Sequence, residues 1–393
     1  MNLFLSEAQG FFDYARNLRR DFHRFPELGF QEERTSAVVA KELKALDLDV
    51  RTGIAGTGVV AMIEGTRPGS VVLLRFDMDA LPITEKNGVD YASQNPGVMH
   101  ACGHDGHTAI GLTAARILAG KRSELKGSVK LVFQPAEEGL GGAAQMVAEG
   151  VLERPRPDFA LGLHLWNEMP VGWLGVTSGP VMAASDVFEI EVRGRGGHGA
   201  LPHLAADPLL ASAQMVISLQ SIVSRNVSPL DSAVVSVTML HGGDAFNVIP
   251  DVVKLKGTIR TFEPALRKVV VERFEQVVHG TASTFNCEAR LILKSITPAV
   301  VNDPQVVSTV RETAQQVFPA SSIDGDYRTM GSEDMAFFLK DTPGCFFLIG
   351  SANSEKGLDS PHHHPTFDFD ESVLSIGSAI IAGASVALLN REI

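Results

Sequence analysis

At 393 residues the chain exceeds what one hydrophobic core usually serves, so two domains are expected. Its 34 Lys and Arg against 46 Asp and Glu give a net charge of −12. That charge argues against nucleic acid or an anionic membrane surface as partner and leaves small molecules, anionic ones included if a local basic site meets them. Three cysteines, Cys102, Cys287 and Cys345, are too few for a disulfide framework. With no basic and apolar leader at the N-terminus, the reading is a cytoplasmic, reducing location.

Several apolar runs end in polar residues. Residues 71–74 lead into Arg75-Phe76-Asp77-Met78-Asp79. The segment from Met99 to Thr108 then gathers Cys102, His100, His104, His107 and Asp105 within nine residues. Ile110, Ala114, Ile117 and Leu118 follow at helical spacing, which predicts a helix over 105–118 starting beside His104. Residues 129–133 lead into Gln134-Pro135-Ala136-Glu137-Glu138, and 159–163 into His164. Further on, 345–349 lead toward His362-His363-His364, and 376–389 read as a buried helix, broken too often by Gly and Ser to span a membrane. Short β-rich runs separated by helical stretches predict α/β architecture.

The middle of the chain reads differently. Phe188, Ile190 and Val192 alternate with Glu189, Glu191 and Arg193, a strand with one wet face. A helix over 207–224, strands over 233–240 and near 253–260, a helix over 264–279 and a strand over 289–293 complete a β-α-β-β-α-β order, the ferredoxin-like module. We place this module at 183–296, inserted into a first domain of 1–182 plus 297–393.

Thiolate and imidazole bind zinc, and imidazole also suits manganese or cobalt, so the 99–108 segment points to a metal site. Asp77, Asp79, Glu137, Glu138 and His164 all follow apolar strands. Ligands of open α/β sheets bind beyond the carboxyl ends of strands, so these distant segments can converge. A Glu-Glu pair allows a division of labour, one carboxylate on metal and its neighbour moving a proton. Gly194-Arg195-Gly196-Gly197-His198-Gly199 fits a dinucleotide fingerprint by spelling. Pro202 breaks the helix that fingerprint needs, and no acidic residue stands at 216–220 for a ribose, so a turn presenting His198 and His203 is preferred. His23, His241 and His279 lack a supporting cluster and read as structural or exposed.

Assembled, these residues resemble the aminoacylase/carboxypeptidase family of dinuclear metal amidohydrolases, in the branch of bacterial N-acyl-amino-acid amidohydrolases and hippurate hydrolases. The likeness runs nearly end to end. It includes His23-Arg24-Phe25-Pro26-Glu27-Leu28-Gly29-Phe30-Gln31-Glu32, Asp77-Met78-Asp79-Ala80-Leu81-Pro82, Gln134-Pro135-Ala136-Glu137-Glu138-Gly139, Gly196-Gly197-His198-Gly199, Asn247-Val248-Ile249-Pro250 and Gly331-Ser332-Glu333-Asp334. It implies an exopeptidase-like catalytic domain with an inserted ferredoxin-like dimerisation (lid) domain.

It further implies metal ligands at Cys102, His104, Glu138, His164 and His363, with His362 or His364 as alternatives for the last. Glu137 is implied as general base, and Asp77 (or Asp79) as support of the metal site. His198 would polarise the scissile carbonyl, and Asn247 and Arg260 would hold the substrate's polar end. Two divalent ions per subunit are expected, zinc first, manganese or cobalt next. The partners expected are an N-acyl amino acid and further copies of the chain, in a homodimer or homotetramer. The expected reaction is hydrolysis of that amide. A carboxypeptidase acting on short or N-blocked peptides is the rival enzyme, and a non-catalytic metal-binding scaffold the rival of another class. A Cys102 nucleophile is disfavoured because metal coordination would consume the thiolate.

Overall fold

The computed structural model describes residues 3–391. Its contacts divide the chain into two compact units, one of Met182–Ala299 with Thr329–Glu333 and one of the remaining segments.

The larger unit is built on an eight-stranded mixed sheet. Its order is Asp49–Ile54, Gly58–Glu64, Lys126–Gln134, Arg67–Asp77, Phe159–Pro170, Gly344–Ala352, Trp173–Gly175, Ser322–Asp324. The four strands from Lys126–Gln134 to Gly344–Ala352 run parallel, so their carboxyl ends share one edge. Register aligns what they carry there: Asp77 lies opposite Gln134, and Arg75 opposite Gly162, which puts Asp77 and His164 each two residues further on. The central strands are buried on both faces, as their near-continuous apolar runs require.

Two apolar helices cover this sheet. His104–Gly120 packs against Val373–Leu389, and both contribute to one large core with Leu74, Phe76, Phe133 and Phe347. The first is entered through Gly103 at φ +92°, a left-handed conformation that a Cβ would strain. Within it, a side chain on Gly111 would meet the Phe76 ring at 2.6 Å, so its glycine lets the helix sit close on the sheet. Among the described residues no helix is long and apolar enough to cross a membrane.

The smaller unit has the βαββαβ order, with strands Ala184–Arg193, Ala233–His241, Val252–Thr261 and Glu288–Thr297 and helices Pro208–Asn226 and Pro264–Thr284. Its antiparallel sheet runs second, third, first, fourth strand, which is the ferredoxin-like arrangement. Phe188, Ile190, Leu255 and Ile259 pack on Met215, Leu219 and Phe274 in a core of its own. Asp207 caps the first helix by accepting from the Leu209 and Leu210 amides.

Candidate metal centre

The shared carboxyl edge gathers the donor atoms. Ligand atoms of Cys102, His104 and His164 lie within 4.8 Å of one another, and so do those of Cys102, Glu138 and His363. Cys102 belongs to both groups. A third group joins His104, Glu137 and Glu138. Cys102 Sγ is 3.5 Å from His164 Nε2, and Glu138 Oε1 is 3.4 Å from His363 Nε2 and 3.9 Å from His104 Nε2.

The backbone fixes which nitrogen each imidazole presents. His104 Nδ1 donates to the Asp79 carbonyl oxygen at 2.9 Å, and His164 Nδ1 donates to that of Leu165 at 2.6 Å. In its neutral form each ring therefore presents Nε2 inward as an acceptor, the tautomer that a cation requires. His107 is different. Its Nδ1 lies 2.6 Å from Asp77 Oδ1 while its Nε2 accepts from the Leu165 amide, so both nitrogens are used. It ties the end of the Arg67–Asp77 strand to the strand that carries His164.

The three histidines of the run differ in their neighbours. His362 Nε2 accepts from the Asn167 amide at 3.0 Å, and His364 Nδ1 bonds the Thr366 hydroxyl at 2.7 Å. His363 takes φ +64°, donates its amide to the Ala101 carbonyl, and is the member whose ring reaches Cys102 and Glu138.

The centre fits a metal on two independent grounds. His104 Nε2 and Glu138 Oε1 are buried without a hydrogen-bond partner, an arrangement costly unless a cation completes it. The electrostatics also call for positive charge. Burial opposes a charge on His104, yet Asp77 and Asp79 more than offset it and hold that imidazole well above its usual range. Hydrogen bonds with Cys102 and Glu138 push His363 up to about 10. Burial, with His107 and His362 alongside, pushes His164 well down, as suits a neutral donor.

A buried polar frame lies behind these donors. Arg75, fully buried in its strand, donates to Gln134 Oε1 at 2.6 Å, Asp77 Oδ2 at 2.9 Å and Asp334 Oδ1 at 2.9 Å. Asp334 also accepts from Gln134 and from the Ala143 amide. Burial works against the Asp77 charge, but His104, His107 and Arg75 together hold its carboxyl well below the usual range. Asp77 therefore bonds to the frame, while Asp79 lies directly beneath a donor: its carbonyl accepts from His104 and its Oδ2 from the Glu138 amide at 3.1 Å. Arg75 carries no role in the sequence analysis, and His23, expected there to be structural or exposed, is buried with Nδ1 2.8 Å from Asp105 and Nε2 3.1 Å from Glu85. An arginine inside an apolar strand, and a histidine four residues after Arg19, were the available signals.

The remaining expected residues lie in the smaller unit. His198 is exposed on the two-residue strand Gly197–His198, which pairs with Val248–Ile249, and the Gly199 amide donates to the Asn247 carbonyl. His198 and Asn247 are thus brought together. Arg260 is half-buried on the Val252–Thr261 strand, with its guanidinium on the Thr258 hydroxyl and the Ile259 carbonyl.

Residues 73–386 match the model of peptidase family M20/M25/M40. N-acetyl-L-cysteine deacetylase of Bacillus subtilis (strain 168) is 40% identical over 380 residues, covering 95% of this chain and 88% of that protein. Thermostable carboxypeptidase 1 of Saccharolobus solfataricus is 36% identical over 384 residues, covering 96% of each. The crystal structure of Bacillus subtilis YXEP protein, described as a dinuclear metal-binding peptidase of the M20 family, matches with a TM-score of 0.85 and 34% identity, over 97% of this chain and 99% of that one. The chain belongs to peptidase family M20/M25/M40. By class it is a metal-dependent amidohydrolase.

Proposed function

We propose that the protein hydrolyses the amide of N-acyl-L-amino acids, giving a carboxylic acid and a free amino acid. The observation that carries this reading is the assembly of Cys102, His104, Glu138, His164 and His363 around shared donor positions, with Glu137 in the group of His104 and Glu138. These five residues would hold two divalent ions, zinc first because of the thiolate, with manganese or cobalt admitted by the imidazole and carboxylate donors. Bound there, the ions supply Lewis acidity toward the amide carbonyl and acidify water.

The chain's own residues do the rest. Glu137 takes the proton of the attacking water and delivers it to the leaving amine. Asp79 keeps His104 in the tautomer that binds through Nε2, and Asp77 supports the site through His107 and Arg75. His198 is assigned to the carbonyl oxygen, where a donor stabilises the developing oxyanion. Asn247 and Arg260 are assigned to the substrate's polar end. These three assignments follow the family resemblance. The smaller unit, Met182–Ala299 with Thr329–Glu333, is assigned as the dimerisation and lid domain, and the larger as catalytic. The deacetylase relative favours small acyl groups, while the carboxypeptidase relative keeps peptide amides as the second reading. The free cysteines keep the expected location cytoplasmic.

Chelation, metal add-back and a panel of N-acetyl, N-benzoyl and peptide substrates test the proposal. Hydrolysis of acyl amino acids that is lost on chelation and restored by metal supports it. Exclusive turnover of peptides replaces it with the carboxypeptidase reading, and loaded protein inert across the panel replaces it with the scaffold.

A further inference from the structure

The segment from His23 to Glu32 has no part in the chemistry above, yet it abuts three loops of the metal centre. Glu27 accepts the Ala80 amide through its carbonyl at 2.8 Å, beside Asp79. Arg19 and His23 both hold Asp105, beside His104. The third contact bears on Glu137. Fully buried Glu32 accepts the Ala136 amide on Oε1 at 2.9 Å and the Thr57 hydroxyl on Oε2 at 2.5 Å.

Ala136 has φ +53°, a left-handed conformation its Cβ disfavours. Bonds at both ends of the residue hold it there: Glu32 takes its amide, and its carbonyl accepts from the Gly142 amide at 3.0 Å. The segment also comes close: a side chain on Gly29 would lie 3.0 Å from Ala136 Cα and 2.6 Å from Leu140 Cδ1. The residue directly before Glu137 is therefore fixed by a carboxylate more than a hundred positions earlier in sequence. Burial pushes the Glu32 carboxyl up, and the Thr57 hydroxyl and Ala136 amide that it accepts from work against that rise.

We propose that Glu32 is a positioning residue for Glu137, setting the direction of its carboxylate by holding the Ala136 amide. This rests on the reading of Glu137 as proton carrier. A reacting group displaced by roughly 1 Å costs on the order of 100-fold in rate, so geometry at Ala136 bears directly on turnover.

The test is steady-state kinetics with metal content on reconstituted Glu32→Asp, Glu32→Gln, Glu32→Ala and, in parallel, Glu137→Gln. Aspartate keeps the charge but withdraws the acceptor from the Ala136 amide, whereas glutamine keeps the acceptor and removes the charge. Glu32→Asp and Glu32→Ala are expected to lower kcat by about 10- to 100-fold with KM within about 3-fold and metal content as in wild type. Glu32→Gln is expected to keep kcat within about 3-fold of wild type. If Glu32→Ala does not fold, the order of Gln and Asp decides alone. Glu32→Asp as active as Glu32→Gln, or a kcat loss that tracks lost metal, overturns the inference. Full turnover in Glu137→Gln overturns the proton-carrier reading itself. Loss in Glu137→Gln with Glu32→Asp unaffected overturns only the positioning role.

Discussion

Replacing Arg75 by methionine keeps volume and removes the charge that joins Asp77, Gln134 and Asp334. The Arg75, Asp77 and Asp334 side chains are all fully buried, and each ion pair spans 2.9 Å. Breaking a buried pair by removing one partner costs about 3–5 kcal/mol, because a charge is left uncompensated. Protonation sets a ceiling. From an ordinary carboxyl value of 3.8 to pH 7, neutralising one carboxylate costs about 4 kcal/mol, at roughly 1.4 kcal/mol per pH unit. At pH 5.5 the same ceiling is about 2 kcal/mol. The sign follows from linkage: without Arg75 the Asp77 and Asp334 carboxyls keep His107, Gln134 and the Ala143 amide but lose their shared cation, so their folded-state pKa rises relative to wild type and the stability lost is larger at higher pH. Both tryptophans, Trp166 and Trp173, stand in strands of the eight-stranded sheet, so their fluorescence follows the larger unit. Urea unfolding in excess chelator should show Arg75→Met destabilised by about 3–4 kcal/mol at pH 7 and about half that at pH 5.5. A loss below about 1 kcal/mol, or one equal at both pH values, would refute the reasoning.

Two further outcomes test other parts of the structure. Burial raises the Asp370 carboxyl, but Lys356, Ser372 and Asn353 outweigh it and hold the group at about 2. Its contribution is therefore present above about 3.8 and lost as pH falls toward about 2; with Lys356 largely exposed, it amounts to about 1 kcal/mol. Asp370→Asn should cost that much at pH 7 and only a small part of it near pH 2, which acid titration of unfolding midpoints would read. In the smaller unit, Phe246 is fully exposed and Val248, Leu210 and Ile217 are more than half exposed. Light scattering is expected to find a homo-oligomer that Phe246→Ser weakens; a monomeric wild type at tens of micromolar would count against this surface as the dimer face.

The carboxyl-edge arrangement was legible because parallel strands are continuous apolar runs, and their polar ends mark where they stop. His164 shows the limit. Its strand continues to Pro170, since Leu165, Trp166 and Asn167 are also buried, and the apolar run ends before the strand does. The helix expected over 264–279 extends to Thr284, because buried Ala282 holds a further turn past Gly280. Local spelling could not tell the members of the histidine run apart, because the Asn167 amide and the Ala101 carbonyl that orient them lie far away in sequence. The partner of Arg75 was illegible for the same reason: Asp334 is 259 positions distant. His23 looked isolated, yet Arg19, Asp105 and Glu85 surround it only after folding.

The most direct test of the central claim is turnover and metal content of Glu137→Gln, measured on one sample. Elemental analysis should find the same metal per chain as wild type, because Cys102, His104, Glu138, His164 and His363 are untouched. Hydrolysis of an N-acyl amino acid should fall by about 100- to 10,000-fold, the usual worth of a general base. Wild-type turnover in the loaded variant would remove Glu137 from the reaction and contradict the account.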